Sequence, residues 1–296
     1  METAARELSA RIEKGARWVE DSAGRRVRIL EDRHAMGIAE ECGCSPGDVY
    51  RQALSMKICP YRYIRNEDSL SIDEQWQLAS SRVTVVGAGG LGGQVILLLA
   101  RLGIGFLNVV DQDVFDETNL NRQALSDMGA IGEGKASKAA LAVASFNPGT
   151  EVTTHRVRLR SENAAKILMK SHVVVDALDT IRDRFVLEDA ARALGIPLVH
   201  GALAGFEGRV MTIFPGDPGL RDLYGGPGGE DPDPRSPEAL MGVPPLAPAL
   251  IGTLQAMEVV KILLGRGEVF RNTMVHVALE TGEWRRFSFA PSRAED

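Results

Sequence analysis

Val83-Thr84-Val85-Val86-Gly87-Ala88-Gly89-Gly90-Leu91-Gly92 is the stretch whose reading decides the fold. A β-branched run ends on a GxGxxG, and an apolar helical stretch over 91–102 follows, so backbone amides and a helix N-terminus come together where they can hold phosphate. Working outward, strand-like runs at 106–110, 172–176 and 197–200 alternate with amphipathic stretches near 133–146, 161–169 and 181–194. Strands separated by helix-length crossovers imply an α/β, Rossmann-like doubly wound and mostly parallel sheet. A run at 209–214, a helix near 247–264 and two further runs at 274–279 and 284–289 complete it with antiparallel C-terminal strands.

The chain has 296 residues, 44% apolar and 25% charged, a composition that excludes disorder and collagen. A single core stops growing near ~250–300 residues, so one large and one small domain are expected. Residues 1–60 carry ten basic and ten acidic side chains and read as a small helical accessory domain. The larger domain is then 61–296, interrupted by a Gly/Pro-rich crossover loop at 215–246 that contains GGPGGEDPDPRSP. Loops of that length are usually functional. Within the accessory domain, Ser45-Pro46-Gly47 joins two helical stretches. A DNA-reading helix should offer several basic or amide side chains, and here only Arg51 and Gln52 qualify, so a packed α-hairpin is the better reading.

A net charge of −6 gives no global reason to bind nucleic acid or an anionic membrane. The first thirty residues lack the apolar stretch of a signal peptide, and the apolar run 95–100 is far shorter than the ~20 residues that span a bilayer. Cys42, Cys44 and Cys59 are odd in number and clustered, a poor disulfide framework. A reducing, cytoplasmic location is expected, with no membrane partner.

The chemistry lies in the polar residues around the glycine-rich turn. Asp111 ends the strand at 106–110, where an acidic side chain can bind ribose hydroxyls. The polar run that follows, 111–123, includes Asp113, Asn119, Arg122 and Gln123, and a plain crossover would not need it. Arg122 offers a planar fork for phosphoryl charge. Lys135 stands at a helix start, where a cation opposes the helix dipole unless an anion lies nearby. Asp176 and Asp179 fall at the C-terminal end of a parallel strand, the edge where ligands bind in open sheets. Asp176 reads as a turn residue, whereas Asp179 faces the crevice and can hold Mg²⁺ on nucleotide phosphates. His200 has no metal-ligand partner at recognisable spacing and reads as structural.

The set GAGGLG, Asp111, Asn119-Leu120-Asn121-Arg122-Gln123, Lys135 and Asp176-Ala177-Leu178-Asp179 resembles the ubiquitin-activating-enzyme-like adenylyltransferases, the HesA/MoeB/ThiF family. Upstream, Arg62-Tyr63-Ile64-Arg65-Asn66 is similar to the family's RYxRQ segment, with Asn66 in place of Gln. Downstream, Leu254-Gln255-Ala256-Met257-Glu258-Val259-Val260-Lys261 is similar to its LQAMExxK helix. The resemblance spans roughly residues 61–290. It implies ATP- and Mg²⁺-dependent adenylation of the C-terminal carboxylate of a small ubiquitin-like sulfur-carrier protein ending in Gly-Gly, with release of pyrophosphate. By the same resemblance Gly87, Gly89, Gly90, Gly92, Asp111, Asp113 and Gln123 contact the nucleotide. Arg65, Asn119, Arg122, Lys135 and Asp179 are the catalytic set, with Asp179 on the metal and Arg65 reaching the neighbouring subunit of a homodimer.

Two departures stand out. From residue 60 onward there is no cysteine, so the two CxxC pairs that hold structural zinc in many members, and a thiol on the crossover loop, have no counterpart. No structural zinc is expected, and a sulfur donor would be another molecule. Thr180 stands where many members have Asn. The competing readings are the same fold acting on tRNA (as a dehydratase) or on a peptide, an NAD(P)-dependent oxidoreductase, and a non-enzymatic nucleotide-gated binding module. The oxidoreductase reading leaves Arg122 and Lys135 without a task.

Overall fold

The computed structural model describes residues 2–225 and 240–289. They divide into two compact units, one formed by Met1–Ser81 with Leu99–Phe106 and Val143–Glu151, the other by Arg82–Leu98, Leu107–Ala142 and Val152–Asp296.

The first unit holds α1 (Glu2–Gly15), a hairpin of β1 (Arg17–Glu20) and β2 (Arg26–Leu30), α2 (Asp32–Cys42), α3 (Pro46–Ser55), the short β3 (Cys59–Pro60), a 3₁₀ turn at Tyr61–Asn66 and α4 (Ile72–Ala79). It differs from the expected helical domain in two ways. A β-hairpin is present because Asp21 accepts the N–H groups of Ala23 and Arg25 at 2.8 Å each and folds the chain back. The unit also runs past residue 60 to Ser81, because Tyr63 is buried in the same apolar cluster as Ile29, Val49 and Tyr50. Between α2 and α3, Gly43 takes the left-handed conformation that ends a helix, and Ser45 with Asp48 forms a capping box that starts the next. Arg51 donates to Asp48 at 2.7 Å and Gln52 to Ser9 at 3.0 Å, so the two side chains of a type suited to reading DNA are engaged within the unit.

The second unit is built on an eight-stranded sheet. Its strands are β4 (Arg82–Val86), β5 (Phe106–Val110), β6 (Glu151–His155), β7 (Val173–Asp176), β8 (Leu198–Ala204), β9 (Glu207–Ile213), β10 (Thr273–Ala278) and β11 (Glu283–Ser288), in the spatial order 11-10-9-8-7-4-5-6. The pairs β4–β7 and β7–β8 are parallel, and β8 through β11 pair antiparallel. The fold is thus the Rossmann-like one the sequence implied. Its crossover helices are α5 (Gly90–Leu102), α6 (Lys135–Phe146), α7 (Ser161–Leu168) and α8 (Ile181–Ala193). Strand β6 was not anticipated, since Glu151-Val152-Thr153-Thr154-His155 is largely exposed and carries little apolar signal.

The stretch at 215–246 is not wholly structureless: α9 (Leu220–Tyr224) occupies its first part, and residues 226–239 lie outside the described residues. After it, α10 (Leu246–Leu264) packs on β7, β8 and β9. By length and composition α10 could cross a membrane, but Gln255 and Glu258 on its inner face are fully buried. Gln255 bridges the carbonyls of Asp176 and Val199, and Glu258 accepts from Phe270 N–H at 2.7 Å, bonds that make α10 a core helix.

Candidate active site

The winding of the sheet reverses between β4 and β7, with β5 on one side and β8 on the other, and a crevice opens beyond the C-terminal ends of such strands. Here it is a cavity of about 420 Å³. Gly87, Gly89 and Gly90 form one wall. Gly87 has φ of +96°, and a Cβ on it would stand 2.4 Å from the carbonyl oxygen of Ala177. One on Gly92 would stand 1.8 Å from the carbonyl oxygen of Gly87. Gly92 therefore seats the helix start against the turn and is not a lining residue. With α5 beginning at Gly90, the turn presents helix-terminal N–H groups suited to phosphate.

Asp111 and Asp113 line the next wall. Asp111 accepts the N–H of Ala88 at 2.7 Å and that of Asp113 at 2.8 Å. Burial nonetheless pushes its carboxyl above the usual range, outweighing these bonds and the pull of Lys135. Lys135 opens α6 and is 8% exposed, with Nζ 3.4 Å from Asp113. The helix-start cation is thus offset by a carboxylate, and phosphate would add a stronger partner.

The loop 116–123 is folded by Asn119. Its side chain accepts Asp116 N–H at 3.2 Å, and its carbonyl accepts the N–H groups of Arg122 and Gln123 at 3.1 and 2.9 Å. Asn119 does not line the cavity; it shapes the loop that carries two residues that do. Arg122 Nη1 donates to Thr118 O at 2.9 Å and Asn121 Oδ1 at 2.8 Å, which fixes the guanidinium at the wall. Gln123 is 7% exposed, and among the described residues its buried Oε1 has no hydrogen-bond partner. A buried acceptor left unpaired costs about 1–3 kcal/mol, so a donor from a bound nucleoside would be favoured there.

Across the crevice, Asp179 is exposed and lines the cavity directly after β7. Asp176 is fully buried, and His200 hydrogen-bonds it at 2.7 Å, so both keep the structural character expected of them. Arg158, Asp183 and Arg184 also line the cavity. Arg158 grips Asp183 through two N–O contacts of 3.0 Å. None of the three was expected from the sequence. A signal existed for Asp183 and Arg184, because a helix that starts straight after a strand end must turn its first residues toward the crevice. None existed for Arg158, which follows the unforeseen β6. Arg65 lies exposed on the 3₁₀ turn of the other unit and is not a lining residue.

All three cysteines belong to the first unit: Cys42 and Cys44 are half-buried and Cys59 is buried, its thiol pushed up to about 12 by desolvation. Among the described residues no group of three or more His, Cys, Asp or Glu could hold a metal ion. A single carboxylate facing phosphates is a different arrangement, and Asp179 with the glycine cradle and the unpaired Gln123 acceptor fits a magnesium nucleotide.

A doubly wound sheet whose switch-point crevice combines a glycine turn, a strand-end acid and loop cations places the chain among α/β proteins with a crevice suited to phosphate groups. The model of the ThiF family matches residues 63–296, and the chain belongs to that family. Among curated relatives, the SAMP-activating enzyme E1 of Haloferax volcanii is 41% identical over 70% of this chain and 77% of its own length. The sulfur carrier protein adenylyltransferase of Thermus thermophilus is 40% identical over 66% of this chain and 73% of its own. The adenylyltransferase and sulfurtransferase MOCS3 of Arabidopsis thaliana is 34% identical over 79% of this chain, which spans only 48% of that longer protein. Among solved structures, E. coli MccB with ATP superposes with a TM-score of 0.62 at 18% identity, covering 87% of this chain and 83% of that one, a likeness of fold.

Proposed function

We propose that the chain is an adenylyltransferase that activates the C-terminal carboxylate of a small ubiquitin-like sulfur-carrier protein ending in Gly-Gly. The observation that carries this reading is the convergence of the glycine turn, Asp111, Arg122, Lys135 and Asp179 on one cavity. In the reaction a carboxylate oxygen of the carrier attacks the α-phosphorus of ATP, and the bond from that phosphorus to the bridging oxygen of the departing pyrophosphate breaks. The nucleophile is already ionised at neutral pH, so no general base is required. What the site must supply is positioning and charge neutralisation. The turn amides hold phosphate, Asp111 takes the ribose, and Gln123 Oε1 accepts a donor from the nucleoside. Arg122 and Lys135 offset the charge on the phosphoryl oxygens. Asp179 would hold Mg²⁺, which when bound draws further charge from the phosphates. Arg65 completes the site across a homodimer.

The test is ATP–pyrophosphate exchange with candidate Gly-Gly-ending carriers. Exchange is expected only when a carrier is present, and Arg122→Ala should lower its rate by on the order of 10²–10³. An Arg122→Ala protein with undiminished exchange would contradict the assignment. For the trans role, mixing Arg65→Ala with Asp179→Ala subunits should create one intact site per mixed dimer, and no recovery in a verified mixed dimer would refute it.

A further inference from the structure

Behind Asp179 lies a ring of hydrogen bonds to which the adenylation chemistry assigns no role. Arg184 donates to the carbonyl of Leu178 from Nε at 3.2 Å and from Nη2 at 2.5 Å, and its Nη1 donates to the hydroxyl of Tyr224. That hydroxyl lies 3.2 Å from His200 Nε2. His200 Nδ1 is 2.7 Å from Asp176 Oδ2, and Asp176 Oδ1 accepts the N–H of Leu178 at 3.0 Å. The donors and acceptors run consistently around the circuit: Arg184 to Tyr224, Tyr224 to His200, His200 to Asp176, and both Asp176 and Arg184 onto the two sides of Leu178. Burial holds the imidazole neutral by lowering its pKa to about 4, which leaves Nε2 free to accept from the tyrosine.

The side chains of Asp176 and His200 are 0% exposed and that of Arg184 is 4% exposed. Burying an arginine, a carboxylate and an imidazole costs more than apolar packing of the same volume, which would join strand to helix equally well. What apolar packing cannot do is fix the orientation of a peptide group. Here both hydrogen-bonding groups of Leu178, its N–H and its C=O, are held, and the next residue is the cavity-facing Asp179. Two of the contributors, His200 and Tyr224, come from β8 and α9, and neither of these side chains lines the cavity.

We propose that Tyr224, His200 and Arg184 are positioning residues that lock the peptide groups on either side of Leu178 and so aim Asp179 at a metal-bound nucleotide. This deepens the adenylation reading and rests on it for the identity of the nucleotide. Partners of this indirect kind typically change metal affinity by 10–100-fold when removed.

The experiment is calorimetric binding of Mg·ATP, and of ATP in EDTA, to wild type, Tyr224→Phe, Asp179→Asn and the double variant, with carrier-dependent exchange measured alongside. Tyr224→Phe should weaken Mg·ATP by on the order of 10-fold and leave metal-free ATP binding unchanged. It should add nothing in the Asp179→Asn background. His200→Gln, which breaks the circuit at a residue outside the cavity lining, should reproduce the pattern and serves if the phenylalanine variant does not fold. Equal losses with and without Mg²⁺, unchanged Mg·ATP binding in a folded variant, or full additivity with Asp179→Asn would overturn the positioning role. Wild-type binding of Mg·ATP without carrier-dependent exchange would instead overturn adenylation, with the ring still judged by the binding data.

Discussion

The wall of the cavity at 87–92 is made largely of backbone, whereas the wall at 176–184 presents side chains held by other side chains. On the first wall specificity comes from what is missing: without side chains at Gly87 and Gly92 the turn can press against Ala177 and against itself. On the second it comes from a buried polar circuit in which each member orients the next. The two solutions place different demands on sequence. A turn tolerates only glycine at fixed spacing, while a hydrogen-bonded ring draws residues from β7, α8, β8 and α9, scattered over 176–224.

The largest expected effect breaks the first wall. Gly92→Ala puts a Cβ 1.8 Å from a backbone oxygen that cannot swing aside. It should abolish nucleotide binding and cost more than about 3 kcal/mol, above the usual range for overpacking. Urea unfolding together with ATP titration checks both parts. Normal binding by this variant would mean that the turn is not built as described.

A second effect sharpens the contrast through pH. The imidazole of His200 has its pKa lowered from 6.5 to about 4, chiefly by burial and against the pull of Asp176. Above pH ~6.5 the ring is neutral whether the chain is folded or not. As pH falls from there toward ~4, the unfolded histidine takes up a proton that the folded one refuses, so stability is lost across that window by about 3 kcal/mol and levels off below it. His200→Gln should remove this part of the slope. The difference between wild type and variant in urea midpoints measured from pH 7 to 4 isolates it, and identical slopes would contradict the neutral ring.

The smallest effect concerns the helix that carries Arg184. Thr180 caps α8 by accepting Asp183 N–H at 3.4 Å, a long bond. Thr180→Ala should therefore cost about 1 kcal/mol or less in unfolding experiments. A larger loss would mean that the cap contributes more to this wall than its length suggests.

The same contrast explains what was legible in the sequence. The glycine turn, Asp111 and Lys135 lie at strand ends and helix starts, where period and spacing announce them, and the structure places all of these but Gly92 in the cavity lining. Asn119 stood in the right loop, but whether it meets ligand or folds that loop depends on which way its amide turns, and no spacing encodes this. Arg158 depends on β6, whose exposed residues give no apolar run to read. Asp176 and His200 looked like a turn residue and a lone histidine because the bond that joins them forms only when β7 and β8 pair, and the circuit they belong to closes through Tyr224, on a five-residue helix inside a Gly/Pro-rich stretch. The hairpin at 17–30 was hidden for a related reason, as charged residues cover both of its strands.

The most direct test of the account is mass spectrometry of a Gly-Gly-ending carrier after incubation with this protein, Mg·ATP and a pyrophosphatase to draw the reaction forward. The account predicts a carrier heavier by one AMP, with the adduct on the terminal glycine carboxylate and lost on brief exposure to hydroxylamine. ATP turned over with no AMP on the carrier, or AMP attached at any other position, would contradict it.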